Sequence, residues 1–330
     1  METSLMDQLA QADELRDLNL SGQDLTTLSF AGKLLANCRL DGANLSGCDL
    51  TGARLSGCGL AGALLAEATL DEARLEDVNL SGADLSRASL ARTALIRVNL
   101  DQARLDRAML LETTFEAVTW RAAALPQATL RGIAHLPDWE DADLAMTHCL
   151  DCDLSGMKLT RVKATLLTLQ GCRGQGMVCA DSDLTQIIAM SGDFSGSSFQ
   201  RCGLERAGFV ESDLSRCDFS GSKLSGAHLI KARLALAKLA AAPLVKANLT
   251  EADLSGADFT GADLTMADLS HAKVDHARFD RATLKLTNLH AVDLDRASLA
   301  GADLTTARRT DQALLKAENF KVPIQPQSGR

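Results

Sequence analysis

The chain contains no tyrosine, and aromatic residues make up only 3% of its 330 residues. An ordinary enzyme core fills an irregular volume with rings, branched and straight side chains. A chain so poor in rings and so rich in leucine and alanine points instead to an interior built from one or two shapes used repeatedly. Long hydrophobic runs are also missing. No stretch reaches the roughly 18 apolar residues that a membrane-spanning helix needs, so no span is expected. The opening residues, METSLMDQLAQADEL, carry acids where an export signal carries a basic segment and then an apolar one. The expected location is cytoplasmic, and a leaderless export route is compatible with it. Clustered lysine and arginine are lacking too. The net charge is −9, and residues 1–143 hold 22 acids against 12 bases while 144–330 hold 21 against 22. Such a balance argues against direct nucleic-acid binding, which needs basic groups to displace counterions from phosphates. It also gives the chain one acidic end and one neutral end.

What is present is a register of five. From Leu20 a large apolar residue returns at every fifth position, through Leu25, Phe30, Leu35, Leu40 and Leu45 to Leu130; among these centres only Phe30, Phe115 and Trp120 are not leucine. The residue two before each centre is small, most often alanine. Residues 131–143, RGIAHLPDWEDAD, break the register. It resumes at Leu144, fourteen residues after Leu130 where fifteen would keep phase, and continues to Leu304. A period of five fits neither a helix nor a simple strand, yet positions i−2 and i share a face as in a strand. The other three residues must turn a corner. Glycine two after the centre, as at Gly22 and Gly42, suits a turn that needs positive φ, and Asp or Asn just before the centre suits an exposed flank.

Units such as GADLS (Gly82 to Ser86), SGADFTGADLT (Ser255 to Thr265) and LDGANLSGCDL (Leu40 to Leu50) resemble the A(D/N)LXX signature of pentapeptide repeat proteins. The resemblance covers about nine-tenths of the chain. It implies an all-β fold, a right-handed quadrilateral β-helix with four pentapeptides per coil. About 14 coils at roughly 4.8 Å each give a rod roughly 65–70 Å long. Its core would be a stack of leucine ladders, each residue resting on the one twenty positions away.

Open solenoid ends are adhesive strand edges and need covers. The expected organisation is a helical cap at 1–17, with Leu5, Met6 and Leu9 on one face of residues 3–14, and a first solenoid segment at 18–132. An interrupting loop at 133–143 and a second solenoid segment at 144–306 follow. A C-terminal helix at 307–320 and a disordered tail at 321–330 complete the chain. Leu314, Leu315 and Phe320 are candidates for an oligomer contact, since the resemblance implies that a head-to-head homodimer through this end is possible; a monomer cap is the alternative. A second weak region runs from Ala164 to Ala189, where centres shrink to Ala164, Gly174, Cys179 and Ala189. It reads as a degenerate stretch, a bend or a looped-out coil.

The register also disposes of most chemistry. Cys38, Cys48, Cys58, Cys152, Cys172, Cys202 and Cys217 fall at i−2, and Cys149 and Cys179 at i, so all nine face inward as small hydrophobes, and free thiols are expected. The six histidines, His135, His148, His228, His271, His276 and His290, read as outward or in the loop, without zinc-site spacing. No nucleophile elbow, phosphate loop or dinucleotide fingerprint occurs. No catalytic residue, cofactor or metal site is assigned, and the chain is read as non-enzymatic. The candidate partner-binding loop is His135, Pro137, Asp138, Trp139, Glu140 and Asp141, an irregular segment carrying one of two tryptophans.

Two functions compete. The first is a protein-interaction scaffold, whose setting could be that of an accessory or effector protein of a bacterial secretion system. The second, which the resemblance also implies, is a DNA-mimicking modulator of DNA gyrase or another type II topoisomerase. A mimic needs negative charge aligned along one face. Counting in twenties gives mixed stripes, with Arg92 among Asp71, Glu72 and Glu112, and Arg54, Arg74 and Arg97 among Glu76, Asp77 and Glu116. The scaffold reading is therefore preferred.

Overall fold

The computed structural model describes residues 5–319. After a short helix α1 (Leu5–Gln11), the chain winds as a right-angled coil in which residues twenty apart pair in parallel. The first face stacks β1 (Glu14–Arg16), β2 (Leu34–Ala36), β3 (Arg54–Ser56), β4 (Arg74–Glu76), β5 (Ala94–Ile96) and, after β6 (Met109–Leu111) on another face, β7 (Thr114–Glu116). Here Leu15, Leu35, Leu55, Leu75, Leu95 and Phe115 form one ladder. A second sheet joins β6 to β8 (Thr129–Arg131), β10 (His148–Leu150) and β12 (Thr168–Gln170). A third joins β9 (Trp139–Glu140), β11 (Lys158–Thr160) and β13 (Val178–Ala180). Elsewhere the pairing consists of single bridges, the last of them Asn288 to Arg308, which accounts for about 14 turns of twenty residues. No helix among the described residues is long and apolar enough to cross a membrane.

Each corner follows from the pentapeptide. The N–H of the residue three after a centre returns to that centre's carbonyl, as from Ala43 to Leu40 at 2.9 Å. The second residue inside the turn has positive φ, +65° at Gly42, as a type II turn requires. Glycine is not obligatory there: Arg87, Glu67 and Ala241 adopt φ of 59°, 60° and 56°. Such residues carry a strain on the order of 1 kcal/mol that the stacked turns on either side outweigh. The Asp or Asn of the signature caps the corner. Asp253 Oδ1 accepts the Ser255 N–H at 3.0 Å and its hydroxyl at 2.6 Å, and Asp263 does the same for Thr265.

The small inward position tolerates a weak donor because a carbonyl of the preceding turn faces it. Thr93 Oγ1 donates to the Leu70 carbonyl at 2.7 Å, and Cys38 and Cys217 send their thiols to Leu15 and Phe194 carbonyls at 3.4 and 3.1 Å. All nine cysteines are buried and free. Burial pushes the Cys48, Cys58 and Cys202 thiols up to about 11 and the Cys217 thiol up to about 12.

Three boundaries differ from the sequence reading. The coil starts at Glu14, within the expected cap, and Leu15 already lies in the core; Asp13 at the small position hid that unit. Helix α2 (Gln312–Glu318) is shorter than the expected 307–320, since Ala307 and Arg308 still belong to the coil. The interruption is also shorter than 133–143, because Trp139 and Glu140 pair with Leu159 and Thr160. The weak stretch 164–189 is an unbroken coil: as centres shrink, the inward neighbours grow to Leu167, Met177 and Ile187. Gly174 leaves room for the Phe194 ring of the next turn, whose Cδ1 stands 2.6 Å from where a Cβ would be. Phe320 and the tail 321–330 lie outside the described residues, as do the side chains of Leu5 and Met6.

Candidate functional site

The missing residue at the break has a local consequence. From Leu130 to Cys149, paired in adjacent turns, is nineteen residues where every other turn takes twenty. Ile133 still fills an inward small position and Leu136 is buried, but Ala134 and His135, where the next centre belongs, are exposed. The first face therefore loses one rung. Its six-stranded sheet ends at β7, and Phe115, the ladder residue below the gap, is only half-buried. A sheet edge is thus presented partway along the rod, in a notch whose floor is Phe115, Ala117, Val118, Thr119 and Trp120. Leu136 and Pro137 overhang it. The cavity measures about 540 Å³.

Aromatic side chains fill the volume that regular leucine stacking would have occupied. Trp120 lies 5.2 Å from Phe115 at 54° and stacks on Trp139 at 5.8 Å and 27°. The Trp120 Nε1–H holds the overhanging segment through the Asp138 carbonyl at 3.1 Å and the Pro137 carbonyl at 3.3 Å. Trp139 Nε1 is buried without a hydrogen-bond partner among the described residues.

Charges line the rim and are paired with one another. Arg161 reaches Glu140 at 2.5 Å and Asp141 at 2.7 Å, and Arg121 reaches Asp141 at 3.3 Å. The Arg161 hydrogen bond, helped by Arg121, holds the Asp141 carboxyl below the usual carboxylate range. Along this corner acid and base alternate turn by turn through Asp141, Arg161, Asp181 and Arg201, the last two in contact at 2.6 Å. Asp138 accepts the Lys158 N–H at 2.9 Å and Asp101 the Arg121 N–H at 2.8 Å. With its ions spent on each other, the notch offers a partner mainly an apolar, ring-lined floor and backbone groups.

Of the candidate residues, His135, Pro137, Asp138 and Glu140 line this cavity, and Asp141 stands on the rim. Trp139 does not reach a partner. It is fully buried as the ladder residue above Trp120, because the short turn brings it back into phase. Sequence reading missed Phe115, Trp120 and Leu136. The signal was available: the two tryptophans stand nineteen residues apart, one shortened turn, astride the break. At the C-terminal end Leu314 is 48% exposed and Leu315 half-buried. The reading of the six histidines as outward or in the loop fails at His290, which is 6% exposed and bonded to Glu318.

A family model described as pentapeptide repeats matches in eight overlapping copies that cover residues 14–119 and 193–308. The unmatched middle, 120–192, contains the shortened turn and the stretch of shrunken centres. Among solved structures, the chain is similar to HetL of the cyanobacterium Nostoc sp. strain PCC 7120, a pentapeptide repeat protein involved in heterocyst differentiation regulation. The identity is 26% over 92% of this chain and 93% of that one, with a TM-score of 0.23. A pentapeptide repeat protein (Rfr23) of the cyanobacterium Cyanothece 51142 is 21% identical over 50% and 91%, with a TM-score of 0.25. QnrB1, a plasmid-mediated fluoroquinolone resistance protein, is 15% identical over 94% and 100%, with a TM-score of 0.24. No curated protein matches the chain.

Proposed function

The chain belongs to the pentapeptide repeat family, and on that premise we propose that it is a non-enzymatic interaction rod that grips a protein partner at the notch between its turns. The observation that carries this reading is the sheet edge at Thr114–Glu116 set beside an aromatic-floored cavity. An extended segment of a partner could pair with such an edge and seat one apolar side chain on Phe115 and Trp120. Binding is favoured over catalysis, because the acids and arginines at the notch are taken up by one another or by backbone N–H groups. The alternating ion pairs along the rod disfavour DNA mimicry, since each arginine cancels the carboxylate a mimic would display. The rod's C-terminal turn supports a homodimer through that end: Leu294, Leu299 and Leu304 are only half-buried, unlike the ladder positions between Leu144 and Leu289.

The test restores the missing residue. Replacing 132–138 by eight residues of regular repeat brings the turn back to twenty and closes the notch. Wild type and this variant serve as parallel baits in native capture, with circular dichroism to show that both are folded. A protein held by the wild type and lost by the variant supports the reading. Equal capture by both sinks it. Recovery of a type II topoisomerase, with inhibition of supercoiling by either bait, would favour mimicry.

A further inference from the structure

Where the last turns meet α2, three side chains far apart in sequence converge. His271 and His290 sit in adjacent turns, joined by the His271 N–H to the His290 carbonyl at 2.9 Å, with ring centroids 5.4 Å apart. Glu318, at the end of α2, places Oε2 3.1 Å from His290 Nε2 and 3.4 Å from His271 Nε2. All three ligand atoms lie within 4.8 Å of one another. We propose that His271, His290 and Glu318 form a binding site for one divalent transition cation, of which zinc is the type, that fastens α2 to the end of the rod.

The geometry has the right scale. A tetrahedral cation with bonds of about 2.0–2.1 Å holds neighbouring ligand atoms about 3.3 Å apart. The two distances to Glu318 bracket that edge. Two imidazole nitrogens and one carboxylate oxygen suit zinc, cobalt(II) or nickel(II); calcium and magnesium seek all-oxygen shells. The His290 side chain is 8% exposed while His271 and Glu318 are 39% and 36% exposed, so the ion has a buried anchor and an open side for water.

The site also has a purpose in the fold. A helix of seven residues has little stability of its own, and α2 buries none of its side chains. Apart from Glu318, its attachment runs through its first turn, where the Asp311 N–H donates to His290 Nδ1 at 3.2 Å. That bond puts the neutral ring's proton on Nε2, facing Glu318. When Nε2 takes a cation, the proton moves to Nδ1 and the Asp311 bond is given up. Coordination therefore trades a hydrogen bond at the start of α2 for a metal bond at its end.

The full-length protein is titrated with Zn²⁺ by calorimetry, and with Co²⁺ by visible absorption, for the wild type, His271→Asn and Glu318→Gln. Both substituted side chains are at the surface; Glu318→Gln keeps its size and His271→Asn is smaller but still polar. The expected result is one ion per chain, a four-coordinate cobalt spectrum without thiolate bands, and at least tenfold weaker binding in each variant. Amide exchange near Glu318 should slow with zinc while that of Asp311 quickens. Absence of binding, unchanged affinity in both variants, or thiolate bands in the cobalt spectrum would overturn the proposal.

Discussion

Gly174→Ala is a small change with a decided sign. Alanine in place of glycine usually stabilises a compatible site by about 0.4–1 kcal/mol, through the unfolded chain. Gly174 has no positive φ to forbid the exchange. It is, however, a buried centre whose missing side chain is replaced by the Phe194 ring. An added methyl would stand 2.6 Å from Phe194 Cδ1 and 2.9 Å from both Phe194 Cε1 and the Met177 sulfur, well inside the roughly 3.5–4.0 Å of carbon contact. The ring cannot simply slide away. Its far side presses on Gly192, and Phe209 packs edge-on at 6.2 Å. Overpacking of this kind costs about 1–3 kcal/mol, so the clash outweighs the entropic gain. Because neighbouring turns support one another, the loss should be local. Amide hydrogen exchange around Val178 and Cys179 should quicken roughly 5- to 100-fold, while the turns near Leu249 and Leu269 keep their protection. Phe194→Leu in the same chain should recover much of the loss, a coupling of roughly 1 kcal/mol or more. A neutral or stabilising Gly174→Ala, or strict additivity with Phe194→Leu, would refute the account.

Three further outcomes are expected. In a thiol-reagent titration at neutral pH, most native cysteines should react at least about a hundredfold more slowly than after unfolding, since burial raises Cys48, Cys58, Cys202 and Cys217 two or three units. Cys152 should lead, because a hydrogen bond from Cys172 favours its thiolate. Urea midpoints should fall as the pH drops from about 4 towards 2. Burial alone would raise Asp218, but its Ser220 hydrogen bonds hold it at about 2, and arginine hydrogen bonds lower Asp77, Asp141 and Asp181. A folded pKa below the unfolded value of about 3.9 contributes above that pH and is lost as acid protonates the folded form; a flat profile would contradict it. Sedimentation should show dimers that Leu299→Glu converts to monomers, and a monomeric wild type would remove the end-to-end contact.

The register of five made the coil legible because each centre repeats a single physical demand. Leu35, Leu55 and Leu75 are interchangeable, so one reading serves them all. What the register concealed was compensation between turns. Gly174 looks like a failed centre until Phe194, twenty residues on, is seen in its space. Asp13 masked the unit of Leu15 because an acidic residue stood where a small apolar one was expected. The notch was legible as a loss of phase, yet its walls were not. Phe115 and Trp120 read as ordinary core until the shortened turn left one half-exposed and drew Trp139 over the other. The grouping of His271, His290 and Glu318 depends on the path of α2, which no periodicity encodes.

A rod made of equal turns has a difficulty of address. Any contact made on one turn can be made nearly as well on the next, so a partner would find many equivalent seats and occupy none in preference. The shortened turn removes that degeneracy. It marks one height along the axis, as a single worn tooth marks a position on a gear. It also shifts the numbering of every centre beyond it by one residue, while the ladders themselves stay in line. Whole turns of twenty residues could be added or lost on either side without disturbing the mark, and only the distance from the mark to each end would change.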